Sequence, residues 1–262
     1  MGSSVDWMPH TSRTEVAEQE FVLHCPSGPV PGVLWTPRHV AALAPVVLLG
    51  HGGSSHKRSN RILSLADWFT RAGIASLAID GPFHGDRAGG TRKESYQMRI
   101  AAEGANHVLD RMVAEWLATL EAVTTNFPID ATRIGYLGLS MGTRYGLPTA
   151  AALGTRVRCA VFGKFGLERT KHLAPALDTT ARIAADAPKI SAPTLFHMQW
   201  NDELFTRKGQ LELFDRLSSP DKRLIAFTGQ HNQTTASAPS TWQTFIAEHL
   251  LHTHGVPQPT QS

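Results

Sequence analysis

Short apolar stretches alternate with longer stretches of helical periodicity along most of the chain, and this alternation limits the possible folds more than any other feature. Within the longer stretches, apolar side chains recur every three or four residues, as Ile62, Leu65 and Phe69 do. Strand followed by helix, repeated, favours right-handed crossovers and a mostly parallel sheet with helices on both faces. We therefore predict a three-layer α/β fold with about eight strands. The predicted strands cover residues 20–24, 30–35, 45–50, 74–79, 133–137, 157–162, 194–198 and 223–227.

The predicted domain boundaries lie where these patterns begin and end. The chain has 262 residues, and a domain of that size buries roughly 70–75% of its unfolded surface, enough for one core without disulfides. We predict a polar N-terminal segment at 1–19, a single domain at 20–252 and a tail at 253–262. Because only a short link separates the first two strands, we expect them to form an antiparallel edge of the sheet.

The composition argues against several classes of protein. The net charge is only +3 and the basic residues are scattered, so we expect no nucleic-acid partner. The longest apolar run, at 40–49, is too short to span a bilayer, and residues 1–20 lack the apolar stretch of a signal peptide. We therefore expect no membrane partner. The two cysteines are too few for a disulfide framework, so we expect a cytoplasmic protein. These patterns leave the oligomeric state open.

The sequence Gly-Leu-Ser-Met-Gly at 138–142 has the pattern G-x-S-x-G and directly follows a predicted strand. Between a strand and a helix, this pattern is typical of a turn that lifts a nucleophilic serine out of the edge of a sheet. Glycines on both sides of the serine leave room for the neighbouring strand and helix. A glycine-rich turn with no chemical role is the alternative, and the strand–helix context favours Ser140 as a nucleophile.

A serine hydroxyl needs a general base, and the base needs a carboxylate to orient it. In this architecture the acid and then the histidine follow the serine along the chain, and both lie at the carboxyl ends of strands. Asp202 follows the predicted strand at 194–198 and is our choice of acid, with Glu203 as the alternative. His231 follows the next strand and a glycine, and we therefore predict it as the base among the 13 histidines.

Two backbone N–H groups are needed to stabilise the oxyanion that forms when a serine attacks a carbonyl carbon. Met141, directly after the predicted nucleophile, is placed to supply one of them. The glycine-rich loop at 50–55 is expected to supply the other, from Gly53 or, as the alternative, from Ser54. We interpret His51 in this loop as a structural hydrogen-bonding residue rather than as the base.

Taken together, these features resemble those of the α/β-hydrolases. The resemblance spans residues 21–251 and is closer to the dienelactone-hydrolase and prolyl-oligopeptidase-like esterases than to the lipases. Dienelactone hydrolases have a cysteine nucleophile, where this chain has Ser140. The segment at 165–192 is too short for a separate lid domain. The resemblance is carried by His-Gly-Gly at 51–53, by the 138–142 pentad, by Asp202 and His231 in that order, and by similar turns at 80–86 and 128–134.

The resemblance implies a serine esterase that forms an acyl-enzyme on Ser140 and needs neither a metal nor an organic cofactor. Its partner would be a small-molecule ester of small to moderate size, because no bulky lid is predicted. A thioesterase, lactonase, amidase or acyltransferase would use the same triad, and a catalytically silent binding protein would keep the same scaffold. Residues expected to line the substrate pocket, with core packing as the competing interpretation for the apolar ones, are Ser54, Phe83, Phe165, Leu167 and Trp200.

A nucleotide-binding oxidoreductase is an alternative from a different class. The 50–55 loop matches half of the pattern G-x-G-x-x-G after a strand, which is typical of phosphate-binding turns. Ser55 replaces the third glycine and no matching ribose-binding acid is evident, so the sequence favours the hydrolase.

Overall fold

One sheet of ten strands forms the centre of the computed structural model, which describes residues 4–9, 11–12, 16–38, 43–89, 95–171 and 175–251. The strands are β1 (Ser4–Trp7), β2 (Thr11–Ser12), β3 (Val16–Cys25), β4 (Gly28–Pro37), β5 (Ala44–Gly50), β6 (Ala75–Ile79), β7 (Ile129–Gly138), β8 (Val157–Gly163), β9 (Thr194–Gln199) and β10 (Lys222–Phe227).

The greater part of this sheet is parallel. Its order is β1-β3-β4-β6-β5-β7-β8-β9-β10, with β2 paired to β3 at the side. Strands β5 to β10 pair in parallel with their neighbours, whereas β1 to β4 pair in antiparallel fashion and β4 is also antiparallel to β6. The predicted α/β class and mostly parallel sheet are confirmed, as is the antiparallel pairing of the first two predicted strands, β3 and β4.

The sheet begins earlier in the chain than the sequence patterns predict. β1 pairs with β3, so that Ser4 lies opposite His24, and β2 pairs with the first half of β3. The predicted domain start at residue 20 therefore falls inside β3, and the two short strands add to the predicted count of about eight. β1 has four residues and β2 has two, which is too short for apolar periodicity to detect them. The predicted tail at 253–262 lies outside the described residues.

Seven α-helices cover the two faces of the sheet in the described part of the chain. They are α1 (Asn60–Arg71), α2 (Tyr96–Glu103), α3 (Ala105–Asn126), α4 (Met141–Leu153), α5 (Thr180–Asp186), α6 (Arg207–Arg216) and α7 (Ala238–Leu251). Trp242 of α7 is fully buried with apolar residues of α1 on one face, and Trp116 of α3 is buried with apolar residues of α4 on the other. Burying an aromatic side chain removes roughly 150–250 Å² from water. None of these helices is both long and apolar enough to cross a membrane.

The carboxyl ends of the parallel strands meet at one edge of the sheet. The 50–55 loop follows β5, the 138–142 pentad ends β7, and Asp202 and His231 follow β9 and β10. Because β5, β7, β8, β9 and β10 are successive neighbours, the segments that follow them lie close together. Between β8 and β9, the described residues form one short helix and single 3₁₀ turns, so this part of the chain contains no large lid domain.

Candidate active site

Ser140 lies on a sharp turn between β7 and α4. Its backbone has φ 59° and ψ −117°, in the left-handed half of conformational space that residues with a side chain rarely adopt. The flanking glycines make this turn possible. A Cβ on Gly138 would lie 2.8 Å from the carbonyl atoms of Gly142, and a Cβ on Gly142 would lie 2.6 Å from the carbonyl oxygen of Gly50. The pentad therefore needs glycine at both positions because backbone atoms pass too close for any side chain.

Hydrogen bonds from buried groups hold this turn. The N–H of Ser140 donates to the carbonyl of Gly163 at 2.9 Å, which ties the turn to the end of β8. The Thr143 hydroxyl lies 2.8 Å from the carbonyl oxygen of Gly138, and the Tyr136 hydroxyl donates to Gly142 at 2.7 Å. A strained backbone conformation of this kind costs about 1–3 kcal/mol and persists only where its surroundings fix it.

The three residues predicted as nucleophile, base and acid lie in one hydrogen-bonded row. Ser140 Oγ is 2.8 Å from His231 Nε2, and His231 Nδ1 is 2.8 Å from Asp202 Oδ2. The Asp202 side chain is inaccessible to solvent. Its other oxygen, Oδ1, accepts the N–H groups of Leu204 at 2.8 Å and Phe205 at 3.1 Å. These two bonds fix the carboxylate, so that Oδ2 is directed at the imidazole.

Glu203, the alternative acid, contacts His231 at a different place. Its Oε2 accepts the backbone N–H of His231 at 2.8 Å and its residue is exposed, whereas the Asp202 carboxylate is buried against the ring. The structure therefore brings Asp202, and not Glu203, to the imidazole.

Two histidines, His51 and His84, form hydrogen bonds that fix the 50–55 loop. His51 Nδ1 lies 2.9 Å from the carbonyl of Gly52, and its Nε2 accepts the N–H of Gly81 at 2.9 Å. Burial lowers the pKa of His51 to about 4, and the two contacts fit a neutral ring protonated at Nδ1. His84 Nε2 contacts the Gly53 carbonyl at 2.9 Å. His51 thus has the structural contacts expected from the sequence, and Gly53 is anchored through its carbonyl oxygen.

A cavity of about 450 Å³ opens over Ser140 and His231, within the size range of small-molecule sites. Phe165 and Leu167, predicted to line a substrate pocket, are buried in the apolar cluster on the α3 and α4 face. Phe83 packs against the guanidinium of Arg99, and Trp200 packs against that of Arg207. None of these four lines this cavity, and their contact with substrate stays a prediction. Residues that line it include Gly53, Ser54, Arg61, Tyr96, Lys164, Leu204 and Asn232.

Lys164 is one of the cavity residues that sequence reasoning missed. It follows β8 directly and is only 2% exposed. Its place at the carboxyl end of a strand between the serine strand and the acid strand was a signal available in the sequence. Its ammonium group donates to the loop that contains His231 and not to a carboxylate. No pattern of residue types in the sequence predicts such a contact.

Among the residues described, no group of three or more His, Cys, Asp or Glu side chains could hold a metal ion. The expectation that no metal is needed is tested by the chelator experiment below. The chemistry available in the row is that of an oxygen nucleophile beside a base whose orientation is fixed by a carboxylate.

Solved structures of other proteins share this fold. A cold-adapted esterase from an Arctic intertidal metagenomic library matches with a TM-score of 0.79 and 27% identity, over 94% of this chain and 99% of that chain. An acetyl xylan esterase from Paenibacillus sp. R4 matches with a TM-score of 0.74 and 19% identity, over 95% and 89% of the two chains. A dienelactone hydrolase from Anabaena variabilis matches with a TM-score of 0.63 and 19% identity, over 91% and 98%.

No protein-family model matches the chain, and no curated protein matches it either. The assignment therefore depends on three-dimensional similarity together with the pentad turn and its place after a parallel strand. The chain therefore has the α/β-hydrolase fold, which it shares with these esterases and this dienelactone hydrolase.

Proposed function

We propose that this protein is a serine esterase that cleaves a carboxylic ester of small to moderate size through an acyl-enzyme on Ser140. The observation that carries the proposal is the row of two contacts, Ser140 Oγ to His231 Nε2 and His231 Nδ1 to Asp202 Oδ2, each 2.8 Å long. The row lies at the wall of the cavity, where an ester carbonyl can reach the serine oxygen. The esterase of 27% identity supports the same class of reaction.

In the first half of the reaction, Ser140 Oγ attacks the ester carbonyl carbon while His231 Nε2 accepts the hydroxyl proton. The C–O bond to the alcohol then breaks, and the alcohol leaves with the proton from Nε2. In the second half, water gives a proton to Nε2 and attacks the acyl carbon, and the acid is released as Ser140 regains its proton. Asp202 keeps Nδ1 protonated and stabilises the imidazolium that forms in each half.

The oxyanion of each tetrahedral intermediate is assigned to the N–H groups of Met141 and Gly53, with Ser54 as the alternative to Gly53. Met141 is the first residue of α4, so its N–H lies at the positive end of the helix. The His51 contact on the Gly52 carbonyl supports the role of Gly53, because that carbonyl and the Gly53 N–H belong to one peptide group. The His84 contact on the Gly53 carbonyl fixes in the same way the peptide group that carries the Ser54 N–H. Removal of one such donor typically lowers kcat by about 10²–10³-fold.

Substrate size is inferred from the cavity of about 450 Å³ and from the absence of a large lid between β8 and β9 in the described residues. A thioester, lactone or amide substrate, or transfer of the acyl group to another acceptor, would use the same three residues. A binding protein that has lost catalysis is the competing class, and the hydrogen-bonded row argues against it.

Reaction with a fluorophosphonate probe separates these classes, because the probe reacts covalently only with an activated serine. We expect one adduct, on the peptide that contains Ser140, and no adduct in Ser140→Ala. A series of p-nitrophenyl esters of increasing acyl length then measures size preference, with matched thioesters and anilides for the bond type. If the wild-type protein neither reacts with the probe nor hydrolyses any ester of the series, the proposal is rejected.

A further inference from the structure

The backbone of His231 is held on both sides by charged side chains from neighbouring strand ends. Glu203 Oε2 accepts the N–H of His231 at 2.8 Å. Lys164 Nζ donates to the carbonyl oxygen of the same residue at 3.1 Å. The carboxylate follows β9 and the ammonium follows β8, and both strands lie inside the parallel half of the sheet. The base is thus anchored by its main chain as well as by its ring.

The Lys164 ammonium group makes three contacts, and all of them are to the loop at 231–234. Besides the His231 carbonyl, Nζ donates to the carbonyl of Gln233 and to the hydroxyl of Thr234 at 3.1 Å. An ammonium group has three hydrogens, so all three are used on this loop. The three acceptors are neutral oxygen atoms. The ammonium therefore acts as a cross-link between the end of β8 and the 231–234 loop.

The backbone of Lys164 supports this role. Its φ is 48°, which is uncommon for a residue with a side chain, and its N–H donates to the carbonyl of His197 at 2.9 Å. The residue is 2% exposed, so the side chain has a fixed path to the loop. A buried lysine without a carboxylate contact is costly, and a purely structural position would be filled better by an apolar residue.

The 231–234 loop needs such a cross-link because it contains no helix or strand. Within it, the N–H of Gln233 donates to the carbonyl of Gln230 at 3.0 Å, but this bond is local and does not attach the loop to the sheet. The distance between His231 Nε2 and Ser140 Oγ therefore depends on the contacts of Lys164 and Glu203 and on the bond to Asp202. Arg61 adds one hydrogen bond to this loop, from its guanidinium to the Thr234 hydroxyl at 3.0 Å, and makes no contact with the main chain of His231. A misplacement of about 1 Å in such a contact can cost roughly 10²-fold in rate.

We propose that Lys164 is a positioning residue for the proposed ester hydrolysis, whose ammonium group holds the 231–234 loop so that His231 stays within hydrogen-bond distance of Ser140. The inference rests on the proposed function, since a positioning role requires a reaction. It goes beyond the triad, because Lys164 acts through the main chain of His231.

The same contacts make the cross-link dependent on pH. Burial lowers the pKa of Lys164 to about 8, with a further lowering by Arg61 that is opposed by Asp202 and Glu203. His197, whose carbonyl accepts the Lys164 N–H, is the other titratable residue of the neighbouring strand. Below pH 8 the ammonium offers three hydrogens to three acceptors, and above it the neutral amine offers two. The cross-link is therefore complete on the acid side of pH 8 and loses one bond on the alkaline side.

The test compares wild-type enzyme with Lys164→Met, in which an unbranched side chain of similar length fills the space but donates nothing. With a p-nitrophenyl ester at neutral pH, we expect kcat to fall roughly 10–100-fold with KM changed less than kcat. We also expect wild-type kcat to decrease to a lower plateau as pH rises through about 8, and Lys164→Met to lack that step. Lys208→Met, at a lysine whose side chain is 80% exposed, is the matched control and should retain both kcat and the step.

Thr234→Val removes the hydroxyl that accepts from both Lys164 and Arg61 while leaving the lysine in place, and serves if Lys164→Met does not fold. Arg61→Met removes only the Arg61 hydrogen bond and is the control for that part of the effect. It should lower kcat in the same direction by a smaller factor. A kcat of Lys164→Met within twofold of wild type would overturn the inference, as would a wild-type kcat that stays constant from neutral pH to well above 8. Wild-type protein that neither hydrolyses the ester nor reacts with the fluorophosphonate would reject the proposed function and this inference with it. Wild-type turnover with an unchanged Lys164→Met would reject the inference alone.

Discussion

Asp202 and Glu203 are adjacent in the chain, yet their carboxylates contact different parts of the same histidine. Asp202 Oδ2 lies 2.8 Å from the ring nitrogen Nδ1 of His231, whereas Glu203 Oε2 accepts the main-chain N–H of that residue at 2.8 Å. One carboxylate therefore contacts the ring of the proposed base and favours the tautomer protonated at Nδ1, and the other contacts its main chain.

Two isosteric substitutions distinguish these roles. Asp202→Asn should lower kcat by roughly 10⁴-fold, because an amide at this position favours the wrong imidazole tautomer. Glu203→Gln keeps an oxygen acceptor for the N–H and weakens one exposed hydrogen bond, so we expect less than about a tenfold loss. Steady-state hydrolysis of one p-nitrophenyl ester measures both. Greater damage from Glu203→Gln than from Asp202→Asn would make Glu203 the triad acid.

Ser140→Ala should abolish turnover without unfolding the protein. We expect kcat to fall by roughly 10⁴-fold or more, since nucleophile, base and acid act as one unit, and thermal unfolding should change little. Mass spectrometry after fluorophosphonate treatment should show no adduct. Ser240→Ala, at an exposed serine of α7, is the control and should be labelled as wild type is. A rate for Ser140→Ala close to that of wild type would place the nucleophile at another residue.

Gly142→Ala tests the close approach of backbone at the pentad. The new Cβ would lie 2.6 Å from the Gly50 carbonyl oxygen, so β5 and α4 must separate. Overpacking of this kind costs about 1–3 kcal/mol, and we expect a lower unfolding midpoint together with a loss of activity. Gly89→Ala adds a Cβ with nothing within 4 Å and should alter neither quantity. Equal stability of the two variants would contradict the packing argument.

Turnover should not depend on a metal ion, because the proposed mechanism assigns every proton transfer to His231. Extended dialysis against a chelator, followed by assay in chelator-treated buffer, should leave kcat unchanged. A loss of activity that returns when a divalent cation is added would show that the reaction needs a metal, and would require another account of how the ester is activated.

Acid should destabilise the fold through its buried histidines. Burial lowers the pKa of His51 and of His197 from 6.5 to about 4. Between those values the unfolded chain binds protons that the folded chain does not. The free energy of unfolding is therefore highest above about pH 6.5 and decreases as the pH falls toward 4. Each histidine should contribute roughly 1.4 kcal/mol per pH unit to this loss.

Urea unfolding at a series of pH values in this interval measures the slope. His197→Gln removes one of the two groups and should reduce the slope by about one proton's contribution, roughly 1.4 kcal/mol per pH unit. An identical slope in the variant and in wild type would show that His197 does not titrate in this way.

The parallel half of the fold was predictable because its strands are buried on both faces and appear in the sequence as short apolar runs. β5 and β8 have almost no exposed side chain, and both lie where the periodicity predicts them. β1 and β2 were not predicted, because they have only four and two residues. The alternation of Val5 and Trp7 in β1 is too short to be detected as a period of two.

The candidate triad was predictable for a related reason. Ser140 has a motif, and Asp202 and His231 have fixed places at the ends of buried strands, so a topological rule brings them together. The contacts of Lys164 were not predictable, because its acceptors are two carbonyl oxygens and a hydroxyl whose positions depend on the path of a loop. Glu203 could be named from the sequence as a candidate acid, but its contact with the main-chain N–H of His231 could be found only from the structure.

The position of β10 at the end of the sheet has a consequence for the newly synthesised protein. Ser140 and its strand are complete long before His231 is translated, and β10 is added to β9 as the last strand of the parallel half. Until that strand pairs, the serine has no base beside it and is an ordinary alcohol. Nascent or C-terminally truncated chains that end before residue 231 would therefore carry Ser140 without the reactivity proposed for it, and ester hydrolysis would begin only after the last parallel strand has paired.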